Sequence, residues 1–267
     1  MRQFKQEDDQ TFKLLMLCVI LTAIILYVFL IRKENVLGDV ANEPVVVSEH
    51  LPDFSEYTVV RDRKEAFFAF LKPLIERVNS EIAEHRAEVS KLFDIYQQKE
   101  SLSKRQWQKV YTFAKMYRID DYQQAPKDQL FDILLRRVAP IPQSLVLAQA
   151  ANESAWGRSR FALEGNNLFG QWCFKKGCGL IPNDRPEGKS YEVAVFKKPI
   201  DSVRSYVMNL NTFDAYRELR EKRLELIESD KPVTGYELAE GLINYSTRRE
   251  AYVEEIRLMI EQNHLEN

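Results

Sequence analysis

The sequence predicts a mainly helical α+β protein, and three observations carry that expectation. From Arg61 to Val138 the apolar residues recur at spacings of three, four and seven, the period of helices that bury one stripe. Further stretches with helical spacing follow after Pro140, whereas apolar–polar alternation is confined to one segment near Tyr191, which predicts a single small β-hairpin. Finally, the N-terminal region holds an uncharged apolar run from Leu14 to Ile31. The 267 residues suffice for one or two domains, and the 45% hydrophobic fraction is ordinary for a globular chain. With 38 basic against 40 acidic residues and a formal charge of −2, nothing argues for a polyanion, so a nucleic-acid partner is not expected.

Residues 1–13 are polar and carry Arg2, Lys5 and Lys13. The 18 residues 14–31 that follow sit at the lower edge for a membrane-spanning helix and exceed the usual core of a signal peptide. Arg32 and Lys33 close the run, leaving a slight basic excess on the N-terminal side. The expected arrangement is a cytoplasmic tail (1–13), an uncleaved single-pass anchor in the cytoplasmic (inner) membrane (14–31), and the remainder in the periplasm or outside the cell. The alternative is a cleavable signal, with Val36 and Gly38 before the cut. Residues 32–57, with Pro44, Pro52 and no helical period, form a linker.

Residues 58–138 predict a helical subdomain. Its first stripe begins with the run Ala66 to Leu71 and continues through Leu74, Ile75, Val78, Ile82 and Val89, and Pro73 should kink the helix or open a second one. Ser103 to Gln106 fits a capping box, with Trp107, Val110, Tyr111, Ala114 and Tyr117 on one face behind it. A third helix starts at Lys127. The aromatic stripe reads as core in preference to a sugar platform.

The segment Ile141 to Gln171 carries the chemistry: IPQSLVLAQAANESAWGRSRFALEGNNLFGQ. Pro142 suits a helix start, Leu145 and Ala148 mark a buried stripe, and Gly157 stops the helix. Gln149 and Glu153 lie four apart and share a face. A carboxylate in the last turn feels the negative end of the helix dipole, and burial beside Trp156 would disfavour its charge further; both raise the pKa, as a general acid requires. The bland alternative is a solvated helix-end glutamate.

Ala150 to Ser159, then Ala162 and Asn166-Asn167-Leu168-Phe169-Gly170, is similar to the signature of the glucosaminidase-type peptidoglycan hydrolases, glycoside hydrolase family 73. The resemblance spans roughly Pro140 to Glu261. It implies a lysozyme-like catalytic domain over residues 139–267, attack on the glycan strand of peptidoglycan as an endo-β-N-acetylglucosaminidase, and Glu153 as proton donor. It also carries over a tyrosine, a small residue and a second tyrosine before the last helix, here Tyr245, Ser246 and Tyr252. By that match Tyr245 sits in the cleft beside the sugar and Tyr252 supports it. From the residues alone, a core tyrosine at 245 is as good a reading. Gln149, Trp156, Asn167, Phe169 and Tyr252 are the expected substrate-binding set, with Asn167 and Phe169 holding the turn and the cleft floor.

Cys173 and Cys178 flank Gly177. If the domain is exported, the pair lies in an oxidising compartment and a disulfide is expected. The rival is a metal, which needs about four ligands; Cys18 lies in the apolar run, and His50, His85 and His264 are far away in sequence. No metal or cofactor is expected. Gly179 to Phe196 reads as the hairpin, with Asn183 to Lys189 as its turn. Related hydrolases carry a second glutamate on its first arm, and this chain has no acid there. Glu187, in the turn, is the replacement considered, against a solvated turn residue. Asp201 should cap a helix through Leu210, Tyr216 to Glu228 a further one, Thr234 to Glu237 a capping box, and Val253 to Gln262 the last helix.

Glycosidic cleavage needs an acid at the leaving oxygen and a second group aiding attack on the sugar. Glu153 is the acid. The second group is either a hairpin carboxylate or the substrate's own N-acetyl group with Tyr245 stabilising the intermediate, and the sequence leaves both open. Two other functions compete: a zinc amidase, whose ligands are missing, and a non-catalytic peptidoglycan-binding or scaffold protein that kept the fold.

Overall fold

A computed structural model of the protein describes Ser48 and residues 50–266. The expected tail, the expected membrane anchor over 14–31 and most of the expected 32–57 linker lie outside these residues. Among the described residues, no helix is long and apolar enough to cross a membrane.

The chain enters through a short 3-10 turn, Phe54–Glu56, capped by Asp53, whose carboxylate accepts from Ser55 N at 2.9 Å. Helix α1 then runs unbroken through Val60–Lys99 with Pro73 inside it. Of the two outcomes the sequence predicted at Pro73, a kink or a new helix, the new helix does not form. An interior proline costs roughly 3 kcal/mol, whereas α1 buries nine apolar side chains on one stripe, each worth roughly 1.5–3 kcal/mol. Packing therefore outweighs the lost hydrogen bond. Helices α2 (Lys104–Met116) and α3 (Lys127–Arg137) follow. The Ser103–Gln106 capping box forms in both directions.

The aromatics of this region mostly meet one another. Trp107 stacks on Tyr111 with ring centroids 5.8 Å apart, and Tyr96 stacks on Phe131 at 5.4 Å. Tyr117 is fully buried.

Helix α4, Gln143–Glu153, is the central element, with Pro142 one residue ahead of it at the cap. The sequence predicted one buried stripe. The structure buries every residue from Ser144 to Ala151, because α1, α8 (Gly235–Leu238) and α9 (Glu250–Gln262) all pack on it. Small residues at 144, 148, 150 and 151 allow that approach from several sides. Gly235 is one condition of it, since a Cβ there would lie 2.3 Å from Ser144 Oγ.

After α5 (Arg160–Gly165) comes a three-stranded antiparallel sheet, β1 (Trp172–Cys173), β2 (Gly179–Leu180) and β3 (Glu192–Ala194), in the order β1-β3-β2. The expected hairpin is the β2–β3 pair, with Leu180 opposite Val193. The extra strand β1, with Trp172 opposite Val193, is two residues long and has too little alternation to be read from sequence.

Helix α6, Pro199–Thr212, starts two residues before the expected cap. Pro199 occupies the first turn, so Asp201 is a first-turn acid that pairs with Arg204 at 2.9 Å. Helix α7 is Arg217–Glu228, and α8 is capped by the Thr234 hydroxyl, which accepts from Glu237 N at 3.2 Å. Helix α9 begins at Glu250, three residues earlier than its apolar stripe suggested. All of these helices bury their apolar faces in a shared core. Buried Arg223 ties α7 to it: its guanidinium donates to Arg136 O at 2.7 Å and to Asn211 Oδ1 at 3.0 Å. Burial lowers its pKa to about 9.

Candidate functional site

The turn that ends α4 sets the site. Ser154 is buried; its hydroxyl donates to Ala150 O at 2.6 Å and accepts from Gly157 N at 2.7 Å. Three successive residues, Ala155, Trp156 and Gly157, have positive φ, a conformation that disfavours side chains and fits glycine at the third position. Gly157 is also pressed against Phe54, with room for no Cβ (2.6 Å to Phe54 Cδ2). This reversal throws Trp156 away from Glu153. Its ring packs edge-on against Phe67 and Phe68 at 5.8 and 5.2 Å, with the Lys64 ammonium 4.7 Å from its centroid. Trp156 therefore anchors the turn to α1 and lies outside the cavity that Glu153 lines.

That cavity has a volume of about 450 Å³, within the range of roughly 300–1,000 Å³ usual for ligand sites. Glu153, Tyr206, Tyr216 and Tyr245 form one part of its lining, Phe169 to Trp172 and Phe174 another, and Asn209, Leu210 and Phe213 a third. Glu153 is the one acidic residue among those lining it. Glu187 sits exposed in the hairpin turn and is not among them. Glu192 on β3 is committed elsewhere: its carboxylate accepts from Gly177 N at 3.0 Å and Gly179 N at 2.8 Å. Those two N–H groups hold it below the ordinary carboxylate range.

Behind Glu153 runs a chain of buried hydrogen bonds. Tyr252 Oη donates to Glu153 Oε1 at 2.7 Å, Gln149 Nε2 donates to Tyr252 Oη at 2.9 Å, and Tyr206 Oη donates to Gln149 Oε1. The direction is self-consistent. A carboxylate can only accept, so Tyr252 must give its proton to Glu153. Its oxygen then needs a donor, which is the Gln149 amide nitrogen. That leaves the Gln149 oxygen to face Tyr206. Gln149 is fully buried.

Burial raises the Glu153 pKa above the ordinary glutamate value; the Tyr252 hydrogen bond pulls it back, nearby Glu255 pushes it up and Arg248 pulls it down. The net direction is upward, as expected for a general acid. Tyr245 stacks flat on Tyr252 with centroids 5.2 Å apart and donates to Phe169 O at 3.2 Å. Phe169 in turn stacks on Tyr206 at 3.9 Å and forms part of the lining.

The Asn166-Asn167-Leu168-Phe169-Gly170 motif is a structural clamp. Asn166 caps α5 in the left-handed conformation, accepts from Leu51 N at 3.2 Å and donates to Phe196 O at 3.1 Å. Asn167 is buried; its amide donates to Gln171 O and Ala194 O, each at 2.9 Å, and accepts from Gln171 N at 3.1 Å. It shapes the loop and does not line the cavity. Of the residues singled out in the sequence, the structure thus gathers Glu153, Tyr245 and Phe169 around the cavity, sets Gln149 and Tyr252 behind Glu153, and keeps Trp156, Asn167 and Glu187 out of the lining. Tyr206, Tyr216, Trp172 and Phe174 were not singled out for the site; the first looks like any apolar-stripe residue of α6.

Cys173 and Cys178 form a disulfide with Cα atoms 6.2 Å apart. Glu192 lies beside them, but with both sulfurs bonded to each other the three residues do not make a metal site.

The family model for glucosaminidase, described as mannosyl-glycoprotein endo-beta-N-acetylglucosaminidase, matches residues 131–265. Protein bax of Escherichia coli (strain K12) is 35% identical over 217 residues, which cover 81% of this chain and 75% of that protein. Among solved structures, the catalytic domain of the autolysin Auto from Listeria monocytogenes aligns at 18% identity with a TM-score of 0.33, over 62% of this chain and 97% of that one. A superposition that loose carries no argument about the site.

Proposed function

Because the chain belongs to the glucosaminidase family of glycoside hydrolases, we propose that it cleaves the glycan strand of peptidoglycan as an endo-β-N-acetylglucosaminidase with Glu153 as general acid. The observation that carries this reading is a carboxylate whose pKa burial raises, set in a cavity that offers no other acid among its lining residues. Glu153 protonates the glycosidic oxygen as the bond to the anomeric carbon breaks. With no lining carboxylate to act as nucleophile or base, the group that attacks is the carbonyl oxygen of the substrate's own N-acetyl substituent. Tyr245 assists it. Its proton is spent on Phe169 O, so its oxygen is free to accept from the N-acetyl N–H, which orients the carbonyl and makes it more nucleophilic. Water then opens the cyclic intermediate, and Glu153, now a carboxylate, takes the water's proton.

The same proposal places residues 14–31 as an anchor in the cytoplasmic membrane with the catalytic part outside. A disulfide between Cys173 and Cys178 supports it, since such bonds persist in oxidising compartments. It also assigns the catalytic domain a lysozyme-like fold, supported by its mainly helical build with one small sheet. The test is mass spectrometry of purified peptidoglycan treated with the full-length protein. New reducing ends at N-acetylglucosamine support the reading. Reducing N-acetylmuramic acid ends would move the cleavage to the other bond, and wall binding without any new ends would replace the enzyme by a scaffold.

A further inference from the structure

We propose that Trp172 and Phe174, carried on the disulfide-closed loop, form a sugar-stacking platform that binds an N-acetylated glycan beside the cleavage point. The inference rests on the glycosidase reading of the cavity. Three independent features place the platform.

The first is exposure where burial would be expected. Trp172 is 58% and Phe174 is 76% exposed, yet both line the cavity that holds Glu153. Two large aromatics presented to water at a cavity wall mark a binding surface.

The second is rigidity. Trp172 stacks on Tyr191 with centroids 4.5 Å apart and planes within 12°. One indole face is thereby covered and the other left open. The strand that carries Trp172 pairs with β3, and the loop beyond it is closed by Cys173–Cys178. Buried Glu192 pins the same loop from below through Gly177 N and Gly179 N. Gln171, the neighbour of Trp172, is held on the other side: its side-chain oxygen accepts from Ser205 Oγ at 2.6 Å and Asn209 Nδ2 at 3.0 Å, and its amide donates to Ser202 O at 3.0 Å. A loop held by a covalent bond and these hydrogen bonds has little ordering left to lose when a ligand arrives.

The third is chemistry. A flat aromatic face with its negative π-cloud suits the C–H face of a pyranose and gives nothing to an anionic ligand. Trp172 and Phe174 share the cavity with Glu153, so a glycan held at the cleavage point by its N-acetyl sugar runs over this wall.

The experiment uses the full-length protein and two readouts. Titration with a soluble β-1,4-linked N-acetylglucosamine oligosaccharide is followed by tryptophan fluorescence. The chain has three tryptophans, and the other two, Trp107 and Trp156, pack against protein aromatics. The expected result is a saturable change that disappears in Trp172→Phe. In parallel, KM and kcat are measured on soluble peptidoglycan fragments. Trp172→Ala is expected to raise KM about tenfold with a much smaller effect on kcat, because a stacking contact is made equally in the ground and transition states. Trp172→Phe should recover most of that loss, and reduction of Cys173–Cys178 should mimic Trp172→Ala. An unchanged fluorescence response in Trp172→Phe, or an unchanged KM in Trp172→Ala, overturns the platform. Full turnover by Glu153→Gln would instead overturn the assignment of the acid, and the fluorescence titration would still decide the platform.

Discussion

Tyr206→Phe tests whether the hydrogen-bond chain behind Glu153 acts as a unit. Tyr206 does not touch Glu153, yet it fixes which way Gln149 faces, and through Tyr252 it fixes the proton on Glu153. Without the Tyr206 hydroxyl, Gln149 Oε1 is a buried acceptor with no donor. Leaving such a group unpaired costs roughly 1–3 kcal/mol. For a chain of this size, each kcal/mol lowers Tm by roughly 2–4 °C. Rotating the amide moves the unpaired group from Oε1 to Nε2 and turns the oxygen toward Tyr252, which then donates to Gln149 and abandons Glu153. Because the Tyr252 hydrogen bond lowers the Glu153 pKa, its loss moves that pKa further up. The assay is the pH dependence of kcat/KM. A general acid works protonated, so activity falls as pH rises through its pKa, and that alkaline limb should move to higher pH in Tyr206→Phe. Tyr252→Phe should move it the same way. A variant that loses stability with its pH limb unchanged would refute the relay and leave Tyr206 a packing residue.

Glu153 should cost stability at neutral pH. Its folded pKa is raised above the unfolded value of 4.5, so the folded state holds its proton more tightly; the penalty is absent below 4.5 and grows as pH rises to the folded pKa. Thermal melts of Glu153→Gln should therefore exceed those of the parent at pH 7 and converge with them near pH 4; a difference independent of pH would contradict this. Glu192 has the opposite sign. Its folded pKa lies below 4.5, so its stabilisation is full above that value and is lost as pH falls through the folded one, and Glu192→Gln should melt lower than the parent at pH 6 with the gap closing in acid. Gly157→Ala should destabilise by about 1–3 kcal/mol through a strained positive φ and overlap with Phe54; a denaturation midpoint equal to the parent's would show that the turn can relax.

Much of this was legible in the sequence because periodicity and capping report on local physics. The Ser103 box, the start of α3 at Lys127 and the helix leading to Glu153 are written in a few residues each. The unbroken passage of α1 through Pro73 was not, since the decision belongs to the nine side chains it buries. Trp156 shows the same limit at the site. Its distance from Glu153 along the chain is short, but three positive-φ residues reverse the backbone and send its ring to Phe67 and Phe68. Tyr206 is indistinguishable in sequence from the core residues around it on α6, and only the arrival of Gln149 from α4 gives its hydroxyl a purpose. Trp172 and Phe174 border the cysteines, and no pattern in the sequence says on which side of the loop the cavity lies.

The central claim is that Glu153 supplies the proton. The most direct measurement is kcat/KM of Glu153→Gln on peptidoglycan glycan strands, beside the parent and with folding verified by its melt. Glutamine keeps the acceptor for Tyr252 and the shape of the cavity wall but has no proton to give. General acid catalysis contributes roughly 10²–10⁴-fold, so a loss of that order is predicted, with binding of the oligosaccharide retained. A variant within tenfold of the parent would contradict the account.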